Sequence, residues 1–136
     1  MTRWLPALAL LAIGLVSAGD VFAHHSTGYY SKEQKDFVKL QGKVVKWEYR
    51  SPHSQLYVEV ADKDGKPVVW RFESTPAAWL LREGVTKDSI VVGDQVTVEG
   101  FPIPGQPFAW LGMVTKADGT KLRPQRSSAT PDWWNP

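Results

Sequence analysis

The three histidines of this chain, His24, His25 and His53, are the residues whose type and placement point to chemistry. His24 and His25 directly follow Ala23, where a secretory signal is expected to end. Cleavage there would leave His24 with a free amine and an imidazole on one residue. Those two nitrogens can chelate a single ion, and His25 or His53 can add a further imidazole. Nitrogen-rich, planar coordination suits Cu(II), with Ni(II) and Zn(II) as weaker alternatives. The plain alternative is a polar start that serves signal processing, with His53 hydrogen-bonded inside a Pro-His turn.

Other chemistry is poorly supplied. The chain has no cysteine, hence no thiol nucleophile and no disulfide framework. His53 and Ser54 are neighbours in a tight turn. That does not set a hydroxyl on an imidazole with a third orienting group. No catalysis is expected. Sixteen basic against fourteen acidic residues leave a net charge of +2, too weak for an electrostatic case for nucleic acid.

The first residues carry Arg3 and then an almost purely apolar run from Leu5 to Val16. That run falls short of the roughly 20 apolar residues a spanning helix needs. Charge, short apolar core and the small residue Ala23 read as a signal peptide over residues 1–23. A soluble periplasmic or secreted protein, monomeric and without a membrane span after cleavage, is the expectation. Val16-Ser17-Ala18 also satisfies the cleavage rule, but it leaves almost no polar spacer after the apolar core.

The mature chain reads as a polar lead-in over residues 24–36, a barrel over 37–123 and a flexible tail over 124–136. Strand one is expected from about Phe37 to Tyr49, where Val45, Trp47 and Tyr49 alternate with Lys46 and Glu48. Gly42 suggests a bulge or bend within it. Strand two, Gln55 to Ala61, turns Leu56, Val58 and Val60 inward. An Asp62-Lys63-Asp64-Gly65 turn leads to strand three, Pro67 to Glu73, with Val68, Trp70 and Phe72 on one face. A short helix is expected next, capped by Ser74 or Thr75 and closed by Gly84. Strand four, Gln95 to Phe101, buries Val96 and Val98. A proline-rich loop over 101–108, a fifth strand from Ala109 to Lys116 and a short end strand complete the pattern. Three strands, a helix and two or three strands read as an all-β oligonucleotide/oligosaccharide-binding (OB)-like Greek-key barrel, with another small antiparallel barrel or sandwich carrying one helix as the alternative.

On that fold His53 lies in a loop that OB folds use for binding. Tyr57 and Arg71 lie on the outer face of strands two and three, so His53, Tyr57 and Arg71 are the expected ligand-binding residues. Arg71 is expected beside Tyr57, and Lys46 opposite Glu59. The face carries too few aromatics and too much acid for nucleic acid.

Several short motifs occur in a fixed order: Ala23-His24-His25-Ser26, Leu40-Gln41-Gly42-Lys43-Val44, Ser51-Pro52-His53, Leu81-Arg82-Glu83-Gly84, the run Gly93 to Gly100, and Asp118-Gly119. With these the chain resembles an uncharacterised family of small exported bacterial proteins, a domain of unknown function. The resemblance covers about His24 to Arg123 and implies an exported OB-like domain without an established activity. That family often has Asn where this chain has Ser51. The N-terminal histidine is also similar to the histidine brace of secreted copper proteins, in that one feature. Three readings follow: a binding or accessory module for a small ligand or periplasmic protein, a copper-binding protein, and an adaptor using Trp133-Trp134 or the proline-rich loop, the tryptophan pair being equally able to pack back on the barrel.

Overall fold

The computed structural model describes residues 27–124 and 126–136. His24, His25 and the expected signal peptide lie outside the described residues. Six strands follow in order: β1 (Val38–Glu48), β2 (Gln55–Ala61), β3 (Pro67–Glu73), β4 (Gln95–Pro102), β5 (Phe108–Lys116) and β6 (Lys121–Leu122). One helix, α1 (Ala77–Arg82), separates β3 from β4. The sheet order is β3-β2-β1-β4-β5-β6, and a parallel pairing of Arg71–Glu73 with Phe108–Trp110 closes five strands into a barrel. The all-β OB-like expectation is met. No helix among the described residues is long and apolar enough to cross a membrane.

The inward faces of β2 and β4 follow the period of two read from their sequences. Leu56, Val58, Phe72, Val96 and Val98 share one core with Val44, Ala109, Leu111 and Val114. Trp70 departs from the core position that its alternation with Phe72 implies. It is half-buried beside Val38, Leu40, Val60 and Val68 in an apolar groove of about 670 Å³ that the 103–107 loop overhangs. Near the far end of β1, α1 packs its buried Leu80, and the Tyr49 hydroxyl donates to the carbonyls of Ala77 and Val85 at 2.8 and 3.1 Å. Neither Ser74 nor Thr75 caps α1. Pro76 occupies that position with no side-chain hydrogen bond.

The irregularity of β1 falls at Val45, not at Gly42. Val44 pairs with Val58 and Lys46 with Tyr57, so Val45 is the extra residue of a bulge. The bulge resets the alternation: Val44 faces the core before it, and Trp47 packs against the core after it. It also moves the ion pair. Lys43, not Lys46, stands opposite Glu59, at 3.8 Å. Lys46 instead lies over the Tyr57 ring, 5.2 Å from its centre.

Gly42 serves close approach. A Cβ added there would sit on the Glu59 carbonyl oxygen and 2.8 Å from Val58 Cγ1. Because the obstacle is backbone, Gly42→Ala is expected to destabilise by about 1–3 kcal/mol, the usual cost of overpacking. Denaturant unfolding of the variant checks this, and an unchanged midpoint would refute the tight β1–β2 approach.

A second apolar cluster lies apart from the barrel core. Phe101, Trp110 and Met113 of β4 and β5 pack with Tyr30 from the lead-in and Ala129 and Trp134 from the tail. The segment expected to be a flexible tail therefore covers the barrel. Burying Trp134, 6% exposed, removes a large apolar surface from water. Trp133 donates its indole N–H to the Lys32 carbonyl at 2.7 Å, which ties the tail to the lead-in.

Candidate functional site

His53 owes its position to the register of the β2–β3 hairpin. Ala61 pairs with Pro67 across the turn, so Gln55 pairs with Glu73 at the far end. Ser54, one residue before β2, is pinned to the exit of β3. Ser74 N–H donates to the Ser54 carbonyl at 2.9 Å, and Ser54 N–H to the Thr75 carbonyl at 3.3 Å. The buried Ser54 hydroxyl donates to the Arg50 carbonyl at 3.0 Å and accepts from the Arg50 N–H at 3.1 Å. The Ser51–Pro52 peptide bond in this turn is cis.

These constraints bring the His53 ring to the Glu73 carboxylate. His53 Nδ1 bonds to Glu73 Oε1, and the Tyr30 hydroxyl donates to Glu73 Oε2. Glu73 is 9% exposed and Tyr30 3%. A buried carboxylate is costly unless donors surround it, and these two donors occupy both its oxygens. As an acceptor-only group, the carboxylate draws the ring proton to Nδ1, which turns Nε2 away from Glu73. Burial first, then the hydrogen bond to Glu73, push the Tyr30 phenol well above its ordinary range, so it stays a protonated donor. The Trp110 ring meets His53 edge-on, with centres 5.8 Å apart, and Tyr30 lies edge-on to Trp110 at 5.7 Å.

His53 lines a cleft of about 520 Å³. Pro52 comes from the same turn, and Thr75, Pro76 and Trp79 come from the β3 exit and α1. Trp110 of β5 lines it too. The lead-in and the tail complete it with Thr27, Ser127 and Ser128, and the Thr27 and Ser128 hydroxyls share a 2.9 Å hydrogen bond. Tail and lead-in thus form part of the cleft as well as covering the barrel.

The other expected ligand-binding residues are elsewhere. Tyr57 and Arg71 are cross-strand neighbours on the outer face of β2 and β3. Neither lines the His53 cleft. The Tyr57 hydroxyl bonds to Glu48 at 3.2 Å and Gln55 at 3.0 Å. The Arg71 guanidinium stacks on Phe108, 3.7 Å from the ring centre, and not on Tyr57. Of the metal candidates, His53 alone falls within the described residues, which contain no group of three or more metal-ligating side chains.

Glu73, Tyr30 and Trp110 went unread in the sequence. A signal for Glu73 was available. Counting the hairpin outward from the Asp62–Gly65 turn pairs Gln55 with Glu73, two residues from His53. Tyr30 carries no such signal, because it reaches Glu73 through a chain reversal that no local pattern specifies.

Residues 12–109 match the model of a family described as a family of unknown function (DUF6152). No curated protein and no solved structure matches the chain.

Proposed function

The chain belongs to the DUF6152 family, and we propose that it is an exported OB-like binding or accessory module, not an enzyme, whose ligand site is the cleft beside His53. The observation that carries this reading is the Tyr30–Glu73–His53 cluster at the wall of that cleft. Nearly buried polar groups with both carboxylate oxygens engaged preorganise an imidazole. A mostly apolar cavity with a few fixed polar groups is the usual form of a small-ligand site. Export rests on Arg3, the apolar run Leu5 to Val16 and the small residue Ala23. A small-molecule fragment screen read by NMR tests the site. Ligands should perturb His53, Trp79 and Trp110 together. Perturbations centred on Tyr57 and Arg71 would place the site on the outer sheet face and overturn this reading.

Copper binding is the second reading, and one observation favours it. A carboxylate on one ring nitrogen is the common outer support of a metal-binding histidine, and Glu73 gives His53 that support through Nδ1. The coordinating nitrogen would be Nε2. Thr27, two residues after His25, lines the same cleft as His53. Cu(II) titration of the processed protein should then show one tight, nitrogen-rich site that weakens as protons compete at lower pH. Glu73→Gln should lower the affinity by about 10–100-fold. A glycine added before His24 should weaken binding strongly, and equal binding by that extended protein would rule out the terminal-amine site.

A further inference from the structure

The lining of the His53 cleft also specifies the chemistry of its occupant. Among the described residues no Lys, Arg, Asp or Glu lines it, and the Nδ1 of its single histidine is committed to Glu73. A charged ligand would lose its hydration there without an opposite charge to replace it. The turn, helix and β5 contribute flat apolar surface: Pro52, Pro76, Trp79 and Trp110. The lead-in and the tail contribute hydroxyls: Thr27, Ser127 and Ser128. Each hydroxyl both donates and accepts, which matches a ligand whose own groups do both. Trp79 lies 42% exposed at this cleft, an unusual position for so large an apolar ring. Two buried polar atoms, Thr75 Oγ1 and Trp110 Nε1, have no hydrogen-bond partner among the described residues, and both belong to side chains lining the cleft. Both atoms are buried, so a ligand offering acceptors would reach them only if these side chains turned toward the cleft.

We propose that the cleft binds a neutral polyhydroxylated ring, a sugar unit, with its C–H face on Trp79 and its hydroxyls on the Ser/Thr rim. This rests on the reading of the cleft as the ligand site. The test is an NMR titration of the naturally processed, isotope-labelled protein, following the tryptophan indole signals. Two probe sets are used separately: neutral methyl glycosides and glucan trisaccharides, and indole as a planar aromatic. A saccharide should give saturable shifts of the Trp79 and Trp110 signals. Trp79→Ala, at an exposed position, should keep the fold and weaken binding by about tenfold or more. Ser128→Ala should weaken it by a smaller factor. If indole shifts these signals and no saccharide does up to about 50 mM, the cleft remains the ligand site and the sugar assignment fails. If neither probe set shifts them, both readings fail. Saccharide binding that Trp79→Ala leaves unchanged also overturns the proposal, because the sugar then sits elsewhere.

Discussion

Truncation of Phe72 to alanine is expected to cost about 3–5 kcal/mol, a large part of the roughly 5–15 kcal/mol that holds a domain folded. Phe72 has no solvent exposure and sits at the centre of the barrel core. A Cβ added at Gly100 would stand 3.1 Å from the Phe72 ring, so the two strands are fitted to that ring. The surrounding barrel is closed by backbone hydrogen bonds and cannot collapse freely into the cavity, which places the cost toward the upper end. Trp70→Ala should cost less, although tryptophan is larger. Its ring stacks on Phe72 at 6.1 Å but borders the open groove, so part of its surface already meets water. Urea unfolding of the two variants gives the comparison. A Trp70→Ala loss as large as that of Phe72→Ala would mean that the groove is closed in solution.

Trp134→Ala is the second large effect, also about 3–5 kcal/mol. Trp134 is 6% exposed, meets Phe101 edge-on with centres 5.4 Å apart, and presses its ring against Gly112. The Arg123 guanidinium lies 5.3 Å from its ring centre. Trp133→Ala should cost less, since Trp133 is 40% exposed, although it bonds to Lys32 and meets Phe37 and Phe101 edge-on at 5.7 and 6.0 Å. Thermal unfolding separates the two. Loss of Trp134 should also loosen the cleft, because Ser127 and Ser128 depend on the docked tail. Deletion of residues 132–136 without loss of stability would show that the tail is undocked, and would return the tryptophan pair to the adaptor reading.

The bounds of β2 and β3 were legible to the residue, because one Asp-Gly turn joins them, and β2 alternates strictly while β3 ends on the buried pair Phe72 and Glu73. The family resemblance and the OB-like class were legible as well, and the match over residues 12–109 bears out the former. Local pattern determined these features because a half-buried strand repeats every two residues wherever it sits. Tertiary structure decided the rest. The β1 bulge at Val45 depends on two neighbours at once, since β1 pairs with both β2 and β4. Gly42 reads as a bend until the backbone of Glu59 is seen against it. Trp70 reads as core by its alternation, but alternation gives a side chain's face and not whether anything covers the end of the barrel. The cleft is the clearest case. His53 was visible as a loop histidine, and its distance from Glu73 could be counted along the hairpin. Tyr30, Trp110 and the hydroxyls at 27, 127 and 128 come from segments far apart in the chain. They meet because Tyr30, Ala129 and Trp134 bury apolar surface on β4 and β5. That burial is non-directional and leaves no period in the sequence, so only the folded chain could bring those residues to His53.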